Sequence, residues 1–596
     1  MPILPVADEP GHRFPGTSVG EVPILDPGSD SSAHPSGHGV YSSGVDIAVA
    51  PRGGGVALTV LDTAGCPGAV EQLSAAAVAD RMADLERKQP RWVWADTAVL
   101  HPGLVAAGVV VARALDLRLC HAVLARSARL AAPLASAGDD RWRPVEPLAA
   151  AGEPSLLDLP PDGRAVDLDD VLVEHRLQQQ AVAGSEQPER LGLLLAAESA
   201  GALVATELSA VGIPFDAKAH DALLTRLLGP RPLPGGRPAR LEVLAGEVRS
   251  LLRTPGLNPD SAPELLRALH TQGLSVETTR QWELERLDHP VVGPLLEYKK
   301  LARLLSANGW GWLAAWVRDG RFRPDYVPSG VVTGRWATRG GGALQLPRQV
   351  RAAVVADPGC RLVVADAAQL EPRVLAALAR DEAMARASRA GDLYQALVDD
   401  GVVDTRAHAK VAMLGALYGA TSGEAGQLMP RLLRTYPRAT GRVEEAARAG
   451  ERGAVVTTWL GRSSPPPPQA WHEVQRRASL PEATAADQRR ARSQARDWGR
   501  FTRNFVVQGT AAEWALCWLA DLRRRLRELG EADGRAPTLV YFLHDEVIVE
   551  TPEALTEAVA DAVRAAARRA GQLLFGTFPV EFALDVACVQ SYAEAG

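Results

Sequence analysis

The chain has 596 residues, 46% of them hydrophobic, and a formal net charge of −6. At about 100–200 residues per domain, this length predicts several packed units. The widely separated cysteines exclude a disulfide framework, and apolar runs such as 104–112 are too short to span a bilayer. No signal-peptide pattern opens the chain, so we expect a cytoplasmic protein with no membrane partner.

The predicted elements change character along the N-terminal half. Residues 1–30 are rich in Pro, Gly and Asp, which indicates a loose leader. From about 40 to 190, short apolar runs alternate with helical patterns, as expected of an α/β domain. Residues 190–320 are almost purely helical in pattern.

The C-terminal half predicts strands with helices inserted between them. We expect a strand over 361–366, a helix over 405–418, strands over 538–550 and a helix over 553–574, followed by two short strands. The run Pro465 to Pro468 is incompatible with a helix and predicts an exposed loop or rigid spacer.

Two or three carboxylates are predicted to converge on one edge of the C-terminal sheet. Asp366 ends an apolar strand, and Asp545 and Glu546 lie at the bend of YFLHDEVIVE. If these strands are neighbours, the like charges need compensating cations, and Mg²⁺ takes carboxylate oxygens together with substrate phosphates. Two such ions stabilise the attacking and leaving oxygens of a phosphoryl displacement. The alternative is a surface hairpin with Asp-Glu at its turn.

The helix over 405–418 carries a second candidate site. Arg406, Lys410, Leu414 and Tyr418 recur every four residues and form one stripe. Two cations suit the phosphates of a nucleoside triphosphate, and the apolar end suits its base. The alternative is an amphipathic helix with Leu414 and Tyr418 in the core and the basic pair in solvent. The chain has only five lysines among 65 basic residues, so a lysine here is unusual.

A basic segment at 489–505 contains six arginines and one aspartate. A solvated helix face is the simplest interpretation of such a run. Contact with phosphates is the functional alternative.

At these residues the sequence resembles bacterial family A DNA polymerases of the DNA polymerase I-like, Klenow-type group. Five segments carry the resemblance in the family's order: VTGRWAT (332–338), DAAQLEPR (366–373), RAHAKVAMLGALYG (406–419), RFTRNFVVQGTAAE (500–513) and HDE (544–546). The resemblance covers about residues 200–596.

The resemblance implies an α/β and α+β multidomain chain, in which a right-hand polymerase follows a ribonuclease H-like exonuclease-type domain. The implied units are a leader at 1–30, the exonuclease-like domain at 31–195, the thumb at 196–325, the first part of the palm at 326–380, the fingers at 381–495 and the second part of the palm at 496–596.

The family also implies roles for the matching residues. Asp366 and Asp545 would bind two Mg²⁺ ions, with Mn²⁺ as a substitute, and Glu546 would support them. Lys410 would protonate the leaving pyrophosphate, because an ammonium can give up a proton, and Glu371 would exclude ribonucleotides. The implied nucleotide-binding residues are Arg406, Lys410, Leu414, Tyr418, Glu371, Gln369 and Tyr394. The implied DNA-binding residues are Arg335, Gln345, Arg500, Asn504, Gln508 and His544.

The sequence departs from the family pattern at several points. Leu414 stands where the family has Phe or Tyr, Ala367 replaces a common Tyr, and Tyr394 stands where a His is usual. Residues 461–471 replace a short hairpin, and the segment that follows is expanded. None of these changes removes a carboxylate or the Arg406–Lys410 pair.

The exonuclease-like domain lacks the acidic residues that its chemistry requires. His101 stands at one expected aspartate, Ser199 and Gly201 lie near another, and no D-x-E falls on a plausible strand. We therefore expect an inactive exonuclease domain.

The sequence predicts a template-directed DNA polymerase that acts in DNA repair or replication. Its expected partners are primer–template DNA and dNTPs, and we expect a monomer associated with the nucleoid. A single-subunit RNA polymerase is one alternative, against which Glu371 argues. A non-catalytic DNA-binding protein is the other, against which the carboxylates and Lys410 argue.

Overall fold

The computed structural model describes residues 44–143, 166–233, 235–339, 346–389, 391–419, 423–533 and 536–595. The chain divides into two units, and all of these residues belong to the second, 43–596. The predicted leader at 1–30 and Gln345 lie outside the described residues.

A five-stranded sheet flanked by helices forms the N-terminal part. Its elements are β1 (Asp46–Arg52), β2 (Gly55–Leu61), β3 (Pro67–Ser74), α1 (Ala75–Glu86), β4 (Arg91–Trp94), α2 (Thr97–Ala106), β5 (Arg113–Asp116), α3 (Leu117–Leu124), α4 (Leu168–Ala183) and α5 (Pro188–Val211). The strand order is β3-β2-β1-β4-β5. β1 pairs antiparallel with β2 and parallel with β4, and β4 pairs parallel with β5. This mixed sheet confirms the predicted α/β domain.

A mainly helical segment follows. Its elements are β6 (Ile213–Pro214), α6 (Ala217–Leu228), α7 (Ala239–Leu251), α8 (Ala262–Thr271), α9 (Gln281–Leu284), α10 (Val292–Asn308), α11 (Trp310–Trp316), β7 (Val317–Arg318), β8 (Arg321–Phe322), β9 (Asp325–Val327) and β10 (Ala337–Arg339). Its apolar side chains join those of the C-terminal sheet in one buried cluster, in which Phe322 contacts the same core as Tyr541. The helical segment is therefore anchored on that sheet.

The C-terminal part is a four-stranded antiparallel sheet with long helical insertions. Its elements are α12 (Arg348–Arg351), β11 (Cys360–Ala367), α13 (Leu370–Leu378), α14 (Glu382–Arg389), α15 (Leu393–Asp399), α16 (Arg406–Tyr418), α17 (Gly423–Thr435), α18 (Pro437–Glu451), α19 (Gln469–Ala478), α20 (Ala485–Asp533), β12 (Thr538–Leu543), β13 (Glu546–Pro552), α21 (Thr556–Phe575) and β14 (Leu584–Val589). The strand order is β12-β13-β11-β14. β11, whose Val363 is fully buried, lies at the centre of the sheet.

Two long helices hold the parts together. α5 is the one described helix whose length and composition would suit a membrane span, but 67% of its apolar window is buried inside the protein. It packs against α20, which runs without a break for 49 residues. The predicted domain boundaries at 195 and 495 fall inside α5 and α20, so these helices are shared between neighbouring units. The division into units stays a prediction.

Two local predictions need correction. The run Pro465 to Pro468 is non-helical as predicted, but Pro467 is buried rather than exposed. It packs near Gly453 and Trp471, whose ring fills the space over that glycine. After α21 the chain forms one strand, β14, and a short 3-10 helix instead of two strands.

Candidate active site

A cleft of about 300 Å³ opens at the end of the C-terminal sheet. Its walls are Arg335, Asp366, Ala367, Gln369, Leu370, Glu371, Pro372, Tyr394, Leu414, Tyr418, Ala511, Ala512, His544 and Asp545. Residues nearly 180 positions apart in the sequence therefore line one site.

Backbone pairing brings the predicted carboxylates together. Asp366 on β11 lies opposite Glu546 on one side and Asp585 on the other. The β12–β13 turn contains only His544 and Asp545, and the amide of Ala367 donates to the carbonyl of Asp545 at 2.8 Å. The prediction that the two acidic segments meet at one sheet edge is confirmed.

The turn that presents Asp545 has an unusual backbone. His544 adopts a left-handed conformation with φ 54°, which is uncommon outside glycine but less so for histidine. Burial lowers the pKa of His544 to about 4, and Arg335 adds to the effect. The imidazole beside the carboxylates is therefore neutral at pH 7 and does not compensate their charge.

Asp366 and Asp545 have no ion-pair partner among the described residues, whereas Glu371 in the same cleft is paired with Arg335. Burial, together with the negative charges of Asp545, Glu546 and Asp585, raises the pKa of Asp366 to about 7. Asp366 is exposed, so repulsion by the neighbouring carboxylates is the main cause of its raised pKa. Burial raises the pKa of Asp545 to about 6, although Arg335 opposes the shift. A cation bound here would relieve this repulsion.

The donor set suits a hard divalent cation shared with a substrate. In the described ranges, no group of three His, Cys, Asp or Glu side chains is arranged to hold a metal by itself. Asp366 and Asp545 supply two carboxylates facing one cleft, which matches the way Mg²⁺ binds through one or two carboxylates plus phosphates.

Glu546 is held apart from the cleft walls. Its Oε1 accepts a hydrogen bond from the Tyr592 hydroxyl at 2.7 Å, and Arg351 lies over the Tyr592 ring at 4.3 Å. Glu546 raises the pKa of Asp366 through its charge. Its position fits a supporting carboxylate better than a direct ligand.

Helix α16 presents one face to the core and another to the cleft. Its core face contains Ala409, Ala412 and Met413, all buried, whereas Leu414 and Tyr418 line the cleft. Thr405 caps the start, since its Oγ accepts from the amide of His408 at 3.1 Å. Of the alternative arrangement, the exposure of Arg406 and Lys410 is observed and half-buried Leu414 does pack against the core, but Tyr418 is exposed and not a core residue.

Glu371 is fixed between two side chains of the cleft. The Tyr418 hydroxyl donates to its Oε2 at 2.8 Å, and Arg335 donates to its Oε1 at 2.5 Å. Burial and the charge of Glu371 raise the pKa of Tyr418, which also hydrogen-bonds to Gln508. Arg335, which the resemblance assigned to DNA, is thus engaged within the cleft.

A second network links the cleft to the start of α16. Gln369, itself in the left-handed region with φ 55°, donates to Asp392 at 2.7 Å. Asp392 accepts from Arg406 at 2.6 Å, and Arg406 lies over the Tyr394 ring at 5.7 Å. Burial alone would raise the pKa of Asp392, but the bonds from Arg406 and Gln369 lower it. The network fixes Arg406 at the cleft entrance.

Lys410 is exposed and does not line the cleft. It lies one turn beyond Arg406 and one turn before Leu414 on the stripe that leads into the cleft. Its ammonium is therefore available to a ligand that extends outward from the carboxylates along α16.

Three of the residues that the resemblance assigned to DNA, namely Arg500, Asn504 and Gln508, lie on α20. Arg500 is exposed and pairs with Asp497, Asn504 is half-buried, and Gln508 reaches Tyr418. The helix then supplies Ala511 and Ala512 to the cleft wall.

Sequence reasoning missed the side chain that anchors the first acidic segment. Arg373 is fully buried, and its guanidinium donates to the carbonyl oxygens of Ala368, Ser388, Glu581 and Gly391. This arginine ties β11 and α13 to segments 15 to 208 residues away in the chain. The only signal was a charged residue in the otherwise apolar start of α13.

The expected nuclease positions of the N-terminal part are used for packing. His101 is fully buried, with Nε2 at 3.4 Å from Glu207. Ser199 is fully buried and hydrogen-bonds to the backbone of β5 and α5. A Cβ at Gly201 would lie 2.7 Å from a methyl group of Leu516 on α20. A side chain at 201 would therefore require Leu516 to shift.

Comparison with known proteins identifies the family to which these features correspond. The model for DNA polymerase family A matches residues 261–594. DNA polymerase I of Chloroflexus aurantiacus is 28% identical over 330 residues, which cover 50% of this chain and 32% of that protein. The thermostable DNA polymerase I of Thermus filiformis is 28% identical over 386 residues, which cover 58% and 42%.

The matched regions span less than half the length of these curated relatives. Among solved structures, the POL domain of Pol1 from M. smegmatis, in complex with DNA primer-template and dNTP, has a TM-score of 0.66 at 19% identity. The match covers 93% of this chain and 96% of that one, and at this identity it shows a common fold.

Proposed function

Because the chain belongs to DNA polymerase family A, we propose that it is a template-directed DNA polymerase that extends a primer with deoxynucleotides. The observation that carries the proposal is the meeting of Asp366 and Asp545 in one cleft with raised pKa values. The primer 3′-hydroxyl would attack the α-phosphorus of a dNTP, and pyrophosphate would leave.

We assign Asp366 and Asp545 as the ligands of two Mg²⁺ ions, for which Mn²⁺ can substitute. Cations held by these carboxylates would supply Lewis-acid stabilisation of the phosphoryl group and of the attacking and leaving oxygens. Glu546, fixed by Tyr592, adds negative charge beside Asp366 and so favours cation binding. His544 contributes no competing charge, because its lowered pKa leaves it neutral.

The cationic side chains of α16 would bind the triphosphate. Arg406 is oriented by Asp392 and Tyr394, and the exposed Lys410 lies on the same stripe one turn nearer the cleft. Lys410 is placed to donate a proton to the pyrophosphate, which arginine does poorly. Positioning and charge neutralisation are the main contributions of the protein to such a transfer.

Glu371 would select the sugar. Its carboxylate is only 15% exposed and is held by Tyr418 and Arg335, so it presents a fixed, bulky wall. A ribose 2′-hydroxyl directed at this wall would meet a group unable to move aside, and deoxyribose would fit. Leu414 and Tyr418 offer apolar and aromatic surface for the base pair.

Primer extension with purified protein tests the proposal. We expect Mg²⁺-dependent incorporation of the four dNTPs and little incorporation of NTPs, and Glu371→Ala should increase the use of NTPs. Preferential NTP incorporation by the unaltered protein would indicate an RNA polymerase. Salt-sensitive duplex binding without incorporation would indicate a DNA-binding protein with no polymerase activity.

We also propose that the N-terminal domain has no 3′–5′ exonuclease activity. The burial of His101 and Ser199 and the contact at Gly201 support this. A mismatched primer incubated with Mg²⁺ or Mn²⁺ and no dNTP should stay intact, and 3′ trimming would contradict the proposal. A cytoplasmic role in DNA repair or replication, as a monomer on primer–template DNA, is part of the same proposal.

A further inference from the structure

The helical hairpin formed by α19 and the first turns of α20 is unusually basic for this chain. Residues 469–500 contain seven arginines and four acidic residues, whereas the whole chain has a net charge of −6. This hairpin includes the segment that is longer than the family pattern predicts. The active-site argument above uses only its last arginine, Arg500.

The hairpin is firmly packed on one side. The buried Trp471 of α19 donates to the carbonyl of Gln494 at 3.3 Å, and Gln475 donates to the carbonyl of Ala491 at 3.0 Å. Ala491 is buried in this contact. α20 also packs extensively on α18. The opposite face of α20 therefore has a defined orientation toward solvent.

Four arginines follow that open face. Arg489, Arg492, Arg496 and Arg500 are all exposed, and their spacing of three, four and four residues keeps them in one stripe of the helix. At about 1.5 Å per residue, the stripe is about 16 Å long. A stripe of this length can contact several phosphates of a nucleic-acid strand.

Three of these arginines have no side-chain partner among the described residues. Across the described part of the chain, Arg489, Arg492 and Arg496 form neither an ion pair nor a hydrogen bond with another side chain, whereas Arg500 pairs with Asp497. The nearby acid Asp487 is already engaged by Arg477 and Thr484. The positive charge of the stripe is therefore not cancelled within the hairpin.

The stripe continues into the active-site cleft. The same face of α20 carries Asn504 and Gln508 at further intervals of four residues, and Gln508 bonds to Tyr418 of the cleft. The cleft wall follows at Ala511. A strand that enters the cleft along α20 would therefore pass the arginines first.

We propose that Arg489, Arg492 and Arg496 bind the phosphate backbone of the single-stranded template ahead of the primer end. This proposal rests on the proposed polymerase function. The stripe lies at the end of α20 that packs on α18 and α19, whereas the helices assigned to the thumb are anchored on the palm sheet. Arginine forks suit phosphates, and the stripe contains no aromatic side chain on which bases would stack.

Binding measured without dNTP tests the proposal. The protein is titrated against fluorescent hairpin DNA with a template overhang of either one or twelve nucleotides, at several salt concentrations. The test variant is R489Q/R492Q/R496Q, and the matched control is R564Q/R568Q/R569Q, which removes three charges from α21. Thermal unfolding checks that both variants are folded.

We expect the test variant to lose about tenfold in affinity for the long overhang, with little change for the short one. The slope of log affinity against log salt concentration, measured on the long overhang, should become shallower by about two. Each phosphate contact on a single strand contributes about 0.7 to this slope. The control variant should match the unaltered protein. An equal loss of affinity for both substrates would show that the stripe binds duplex DNA. No loss of affinity would show that the stripe is a solvent-exposed helix face that does not bind DNA. Either result overturns the proposal.

Single-nucleotide incorporation on the one-nucleotide overhang separates this inference from the proposed function. The test variant should incorporate at the normal rate there, since the stripe is beyond reach of so short a template. If the unaltered protein shows overhang-dependent binding without incorporation, the polymerase proposal fails and the binding surface stands. If it incorporates without any overhang dependence, only this inference fails.

Discussion

The palm sheet and the N-terminal sheet both carry aspartates at the ends of buried strands, but they differ in the source of the compensating positive charge. In the palm, Asp366 and Asp545 face a cleft in which burial and neighbouring carboxylates raise their pKa values to about 7 and about 6. In the N-terminal part, Asp46 pairs with Arg91 at 2.5 Å and Asp96 lies 3.6 Å from Arg118.

The same contrast holds where the N-terminal part meets α20. Glu207 of α5 accepts from Arg523 and Arg527, and Arg523 also donates to the carbonyls of Val111 and Ala112. Burial would raise the pKa of Glu207, but Arg523 and its neighbours hold it below the ordinary value. Carboxylates neutralised within the protein stabilise the fold, whereas carboxylates left without a partner are available to an external cation.

Asp116 is the one intermediate case in this comparison. Burial and the charge of Asp96 raise its pKa to about 7. However, its carboxylate accepts from the amides of Thr97 and Leu119 at 2.7 and 2.9 Å. It begins α3 and is only 1% exposed, so it has a structural role and no access for a ligand.

The strongest test of this difference between the two sheets is to neutralise one carboxylate in each. Asp545→Asn should reduce primer extension by at least about 10³-fold, since losing about 4 kcal/mol of transition-state stabilisation has that effect. Binding of primer–template DNA should be largely retained. Asp96→Asn keeps the hydrogen bond to Ala98 that caps α2, and its extension rate should be normal.

Steady-state extension assays on both variants check this prediction. Full extension by Asp545→Asn would remove the metal assignment. An equal loss in Asp96→Asn would mean that the two sheets do not differ in the way proposed.

The second test removes the internal cation of the N-terminal part. Arg523→Gln leaves Glu207 without its main partner, and we expect the free energy of unfolding to fall by about 2–4 kcal/mol. This is near the lower end of the range for broken buried pairs, because Glu207 is 26% exposed. Urea denaturation followed by tryptophan fluorescence measures the effect.

The double variant Arg523→Gln/Glu207→Gln provides the control, since it removes the carboxylate that the single variant leaves with Arg527 alone, and it should recover part of the loss. The lowered pKa of Glu207 also sets a pH dependence. The pair's contribution should be complete above the ordinary glutamate pKa and should decline as the pH falls below it. If the stability difference between the unaltered protein and Arg523→Gln did not change with pH, the assigned ion pair would be contradicted.

The smallest predicted effect concerns metal affinity. Because the pKa values of Asp366 and Asp545 are about 7 and about 6, a bound cation must displace protons below these values. Affinity for Mn²⁺, followed by the electron spin resonance signal of the free ion, should fall about tenfold per pH unit from pH 7 to pH 6, and more steeply below. An unchanged affinity over this range would show that these carboxylates are already ionised or do not bind the ion.

The sequence predicts the general architecture and the meeting of the two acidic segments. Strand and turn patterns around Asp366 and Asp545 are local, and their order matches one family, so both could be recognised without coordinates. The stripe on α16 follows from helical periodicity, and Leu414 and Tyr418 lie in the cleft as that stripe requires. The roles assigned to individual residues stay predictions.

The remaining features depend on contacts that no local pattern reveals. Arg373 finds its acceptors on segments far away in the chain, and Asp392 joins Gln369 to Arg406 only because three helices converge. The burial of Pro467 likewise requires the ring of Trp471. These positions are determined by tertiary packing, which sequence periodicity does not encode.

The close approach of Gly201 to Leu516 couples the N-terminal part to the long helix α20. A side chain at position 201 would place its first carbon 2.7 Å from a methyl group of Leu516, so the leucine would have to shift. Substitutions at positions 201 and 516 should therefore be non-additive in their effect on stability, because the two residues share one packing contact.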